Sequence, residues 1–220
     1  MDEFLVATSS LDFDSDEVQS FVAEFKTLEH KNAQAIGLYN KVRDGFLYDP
    51  YHLDLRPHAL KSSVIIGKKR AWCVEKGIVF ASGLRALGIP SRLGYAIVEN
   101  HIGVDKLTEI LRTEKIVFHG YVDVYLEGKW TKATPAFDIK TCALCDVDPL
   151  EWDATSDSLF QAFSNKGKFM EYHYDYGVFD DVPVALMNNE MKSYYPHLFD
   201  GSHDNSRRFS FKHLWTVEEI

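Results

Sequence analysis

Cys73 carries the most specific chemistry in this chain, because a thiol at the start of a helix can serve as a nucleophile. It stands in Ala71-Trp72-Cys73-Val74-Glu75-Lys76-Gly77. Apolar residues then recur at Val74, Ile78, Ala81, Leu84 and Leu87, the spacing of a helix with a buried face. Gly88-Ile89-Pro90 is a helix-ending phrase. A thiol in the first turn meets unpaired N–H groups and the positive end of the helix dipole, which favour the thiolate. The expectation is therefore a depressed thiol pKa and alkylation well below pH 8. A base is available downstream in His119-Gly120-Tyr121-Val122-Asp123-Val124-Tyr125-Leu126, followed by a turn at Glu127-Gly128 and then Lys129-Trp130. A lone cysteine on an apolar helix is by itself an ordinary core residue. The order thiol, imidazole on a later strand, then carboxylate is what points to acyl transfer.

These two segments resemble the core of the transglutaminase-like superfamily. The likeness lies in the helix-initial Cys73, the helix ending Leu84-Arg85-Ala86-Leu87-Gly88-Ile89-Pro90-Ser91-Arg92, the His119 strand and the Gly128-Lys129-Trp130 turn. It covers about residues 35–140. The resemblance implies a papain-like α+β fold and a Cys-His-Asp triad, in which Cys73 and His119 match by motif. Members include protein cross-linking enzymes, peptidases, amidases and relatives without activity.

The third triad position departs from that pattern. Where the family commonly has Asp, four residues after the hairpin Trp, this chain has Thr134 in Ala133-Thr134-Pro135-Ala136-Phe137-Asp138. A tight turn at Glu127-Gly128 sets Leu126 opposite Lys129 and His119 opposite Ala136. Thr134 and Asp138 are then the diagonal neighbours of His119, about 7–8 Å away at the backbone. Asp138 is the candidate to orient the imidazole. Asp123, two residues along the His119 strand, is a further acidic group on that face.

These residues allow a thioester mechanism at an amide or peptide carbonyl, with the Cys73 N–H as one oxyanion donor. Water as acceptor gives hydrolysis and an amine gives transamidation. The alternative is a catalytically inactive relative that binds a peptide or small amide, consistent with Thr134.

The positioning elements can be read more coarsely. A first helix carries Val18, Phe21, Val22 and Phe25, with Ser15 or Asp14 as cap. A second runs from about Lys31 to Arg43 or Phe46. Residues 52–70 read as a loop ending in the solvated triplet Lys68-Lys69-Arg70. A strand at 92–98 and a short helix at 104–111 precede the histidine hairpin. Helices first and an antiparallel sheet later is an α+β order. The expected organisation is one domain, 1–220, with an extension 141–220 packing on the core. In that extension Asp157 or Ser156 reads as a helix cap, the aromatics of 150–180 as packing, and Phe209 to Trp215 as a last strand.

Composition narrows the partners. The 220 residues carry 24 basic against 33 acidic side chains, net −9, which disfavours nucleic acid and anionic membranes. Three cysteines exclude a disulfide scaffold. Cys142-Ala143-Leu144-Cys145 lacks a second ligand pair for zinc and a βαβ context for redox work, so both thiols read as structural. No cofactor or metal is expected. The first residues lack a signal-peptide pattern and no apolar run is long enough to span a bilayer, so the expected setting is cytoplasmic. The expected partner is a peptide, protein or small amide; nothing in the residues sets the oligomeric state.

Overall fold

A computed structural model describes residues 2–100, 105–159, 163–164, 167–168 and 170–199. Helices α1 (Asp16–Val22) and α2 (Lys31–Gly45) come first and bury Val18, Val22, Leu38, Tyr39 and Val42. Ser15 holds the N-cap position of α1 without a side-chain cap hydrogen bond. Acidic Asp16 and Glu17 in its first turn suit the positive helix end instead. Residues 52–70 are more ordered than a loop, with a 3-10 turn at Pro57–Leu60 and a short helix α3 (Ser62–Ile66). The sequence window hides the cause. Asp12, fifty residues earlier, accepts from the Ser62 and Ser63 hydroxyls and the Ser63 amide.

Helix α4 (Cys73–Ala86) is the hub. Every residue from Cys73 to Arg85 is buried, so it is enclosed all round rather than along one stripe. The apolar positions face the other helices and the sheet. The polar ones are satisfied inside the protein: Lys76 donates to the Arg43 carbonyl at 2.8 Å, Ser82 meets Ser62 at 2.8 Å, and Arg85 donates to the carbonyls of Val6, Ser91 and Asp180. Gly88, at φ +68°, ends the helix, and the Ile89 amide folds back to the Leu84 carbonyl at 2.9 Å.

A parallel pair, β1 (Leu47–Tyr48) and β2 (Arg70–Ala71), brings Tyr48 to the start of α4. The main sheet is antiparallel. It uses β3 (Ser91–Asn100), β4 (Lys115–Leu126), β5 (Lys129–Ala133) and, after a short hairpin of β6 (Phe163–Ser164) and β7 (Gly167–Lys168), β8 (Met170–Phe179). The strand order is β5-β4-β3-β8. Helices α5 (Asp105–Leu111), α6 (Ile139–Cys145) and α7 (Val184–Tyr194) complete the set. The hairpin register is the expected one, Leu126 opposite Lys129 and Val122 opposite Ala133.

Two further expectations are corrected. β5 stops at Ala133, because Pro135 has no N–H with which to continue a ladder. The neighbouring groups turn to Ser158 instead: the Thr134 amide donates to the Ser158 carbonyl and the Ser158 amide to Lys132. Asp157 therefore caps no helix; its carboxylate accepts from the Lys132 amide at 2.9 Å. The tyrosines of 172–176 lie on β8, a fourth sheet strand that the aromatic run had not announced. The segment Phe209 to Trp215 lies outside the described residues. No helix among the described residues is long and apolar enough to cross a membrane.

Candidate active site

Cys73 is the first residue of α4, after an extended Trp72, and is only 3% exposed. The strand beside it approaches unusually closely. A Cβ on Gly120 would lie 3.2 Å from Val74 Cα and 3.3 Å from the Cys73 carbonyl oxygen, both backbone atoms that would have to give by a few tenths of an ångström. Glycine lets β4 sit there without that shift. The Gly120 amide, the amides at the helix start and the Tyr48 hydroxyl lie close enough to the Cys73 sulfur for their dipoles to favour its charged form.

These donors favour a thiolate, as the helix position had suggested. Burial outweighs them and pushes the Cys73 thiol up to about 11. The expected depressed pKa is thus corrected, because removal from water costs a charged sulfur more than partial dipoles return.

His119 follows a deformation in β4. Between the pairs Ala96–His119 and Val98–Ile116, β3 has one residue and β4 has two, a β-bulge that re-aims the side chains beyond it. Phe118 absorbs it at φ +62°, a conformation costing a bulky residue about 1–3 kcal/mol. Its ring is held between Tyr95 and Tyr176, at 4.9 and 4.8 Å between centroids. The freed Val117 amide donates to the Tyr195 hydroxyl at 2.8 Å, which in turn donates to the Lys115 carbonyl at 2.8 Å. The chain beyond residue 140 therefore anchors the histidine strand. His119 is 1% exposed, its Nε2 has no partner among the described residues, and burial pulls its pKa down to about 4. The resting thiol and imidazole are both neutral.

Asp138 lies elsewhere than the extrapolated hairpin implied. It is the N-cap of α6 and accepts from the Lys140 and Thr141 amides, the Thr141 hydroxyl at 2.7 Å and the Tyr48 amide at 2.7 Å. Burial would raise its pKa, but these donors and the nearby Lys76 hold it below the usual carboxylate range. No hydrogen bond joins it to the His119 ring among the described residues. Its link to the thiol runs through Tyr48, whose amide it holds and whose hydroxyl meets the sulfur. Asp123 is engaged with Arg92 at 2.7 Å. Thr134 is buried and faces the Tyr172 hydroxyl.

Sequence reasoning missed Tyr48 and Lys76. Tyr48 looked like an extended exit before Pro50. Its signal was faint, an aromatic ahead of a proline. Lys76 sits one turn after Cys73 and is fully buried; burial pulls its pKa to about 7 against the charges of Asp138 and Asp44. Lys76 inside an apolar helix was the visible clue. Lys68 of the basic triplet pairs with Glu75 on the first turn of α4.

Cys142 is buried in a second small core with Ala96, Val98, Val147 and Met170, while Cys145 is partly exposed; neither is in a disulfide. No group of three or more His, Cys, Asp or Glu side chains placed to hold a metal occurs among the described residues. Beside Cys73 lies an apolar pocket of about 50 Å³, walled by Tyr48, Trp72, Leu107, Leu111, Met191 and Tyr195 among others.

A helix headed by a cysteine and packed on an antiparallel sheet is the architecture of papain-like proteins. The profile of the transglutaminase-like superfamily matches residues 19–135, more than half of the chain, and the chain belongs to that superfamily. Among solved structures it is similar to a protein from Cytophaga hutchinsonii proposed to be a cysteine protease, with 14% identity and a TM-score of 0.50. The match covers 84% of this chain and 48% of that one, so this chain spans about half the length of its structural neighbour. At that identity the likeness concerns the fold. No curated protein matches the sequence.

Proposed function

We propose that this protein is a cysteine-dependent enzyme that forms a thioester acyl-enzyme from an amide or peptide substrate. The observation that carries the proposal is the docking of β4 on the start of α4, which sets Gly120 against the Cys73 and Val74 backbone with His119 immediately before it. Family membership supports the same reading.

A neutral imidazole is the form a base needs at neutral pH, and burial keeps His119 in that form. As sulfur attacks the carbonyl carbon, the S–H proton passes to His119. The C–S bond forms and the carbonyl π electrons move to oxygen. The Cys73 amide, and the Trp72 indole N–H that has no partner among the described residues, are the donors for that oxygen. Collapse breaks the C–N bond, and the imidazolium protonates the leaving amine. Water or an amine then releases the acyl group with His119 as base. Asp138 acts as a positioning residue, holding the segment that carries Tyr48 against the thiol.

The test is acylation by p-nitrophenyl acetate. Intact-mass analysis should show one acetyl group on Cys73, with nitrophenolate released; Cys73→Ala should abolish the adduct and His119→Gln should slow it. Equal turnover by wild type and Cys73→Ala would reject the proposal. A second reading, a binding protein without turnover, is favoured by one observation: no carboxylate bonds the His119 ring among the described residues. It predicts no adduct at all.

A further inference from the structure

We infer that the pocket beside Cys73 is an acyl-group site that selects a short, uncharged, branched aliphatic chain; this rests on the proposed acyl-enzyme and names its substrate class. The acyl group stays bonded to sulfur throughout the reaction, so it must occupy space within a few bonds of Cys73. The pocket is that space, because Cys73 is part of its wall. Leu107 and Leu111 from α5, Met191 from α7 and Leu198 from the 3-10 turn at Pro196–Leu198 are apolar parts of the remaining wall.

The polar atoms on the wall are already committed. The Tyr195 hydroxyl accepts from Val117 and donates to Lys115, both at 2.8 Å, and the Tyr48 hydroxyl is turned to the sulfur. The Trp72 indole N–H is the donor left over, enough for one carbonyl oxygen but not for a carboxamide or carboxylate on the acyl chain. A polar chain end entering here would lose its water without replacement. Size is limited too. At roughly 10–15 Å³ of such volume per water-sized group, 50 Å³ holds about three to five non-hydrogen atoms. An isobutyl group matches that count, and an eight-carbon chain exceeds it.

The test uses p-nitrophenyl acetate, butyrate, isovalerate and octanoate, read by nitrophenolate release and by mass of the Cys73 adduct. Isovalerate should acylate at least about tenfold faster than acetate, each buried methylene contributing a factor of roughly four. Octanoate should fall back, and Leu111→Trp, which fills the pocket, should erase the isovalerate advantage. Equal rates for all four esters would overturn the inference while leaving thiol chemistry intact. A separate measurement keeps the pocket testable without catalysis: the Met191 methyl signal of labelled wild-type protein, titrated with isovaleramide or with malonamide, its polar isostere. A shift with isovaleramide alone supports the site even when no ester reacts, a result that would sink the acyl-enzyme only. No shift with isovaleramide, or equal shifts with both amides, overturns the inference.

Discussion

His119→Gln should remove a defined part of the acid sensitivity of this fold. The imidazole is 1% exposed, its Nε2 has no partner among the described residues, and burial lowers its pKa from 6.5 to about 4. The folded state therefore resists a proton that the unfolded chain accepts. The stability from this neutral ring is fully present above about pH 6.5 and is lost as pH falls through 4. With those two values the wild-type loss is near zero at pH 7, about 2 kcal/mol at pH 5 and about 3 kcal/mol at pH 4. Glutamine does not titrate, so the difference between the two proteins isolates this contribution from the common background of carboxylates. Urea unfolding of both proteins at pH 7.5, 6, 5 and 4 measures it. At a slope of about 2 kcal/mol per molar urea, the gap between the two midpoints should change by roughly 1–1.5 M across the series, in favour of the variant at acid pH. A gap that stays constant with pH would refute the burial argument and imply that a charged partner shares the site.

Four further outcomes follow from the same geometry. Gly120→Ala places a methyl against the Val74 and Cys73 backbone and should cost about 1–3 kcal/mol in thermal or urea unfolding. It should also slow Cys73 acylation, up to roughly a hundredfold for a displacement of about 1 Å; unchanged acylation would detach Gly120 from the site. Asp138→Ala should cost about 2–4 kcal/mol, from the lost α6 cap and the stranded Tyr48 amide, and most of the turnover. Asp138→Asn, which retains an acceptor, should recover part of both, and full turnover in Asp138→Ala would remove that residue from the site. Lys76→Met should stabilise the protein at pH 6, where the folded state holds an ammonium that burial disfavours, and the gain should shrink as pH rises from 7 towards 10.5. Urea midpoints across that range report it, and a pH-independent difference would contradict the lowered pKa. Iodoacetamide at pH 8, followed by peptide mass mapping, should label partly exposed Cys145 before Cys73, because the Cys73 thiol is buried and pushed up to about 11. Early, selective labelling of Cys73 would mean an ionised thiol at rest.

What the linear order of residues determined was local. The repeat at Val74, Ile78, Ala81, Leu84 and Leu87 specifies a helix with Cys73 at its head, and Gly88 before Pro90 specifies its end, since both depend on neighbours within a turn or two. The Glu127-Gly128 turn likewise sets the register of β4 and β5, because a tight turn leaves one pairing. The motifs around Cys73 and His119 carried the family. Tertiary structure decided the rest. The extrapolation from Leu126–Lys129 to His119–Ala136 failed at Pro135, where a distant segment around Ser158 took over the hydrogen bonding. Asp138 became a helix cap tied to Tyr48, ninety residues away in the chain. The charge state of Cys73 reversed its local expectation for the same reason: a helix start acts over a few ångströms and is visible in sequence, whereas the water excluded by β4, α7 and the Tyr48 segment depends on chain folded in from both sides.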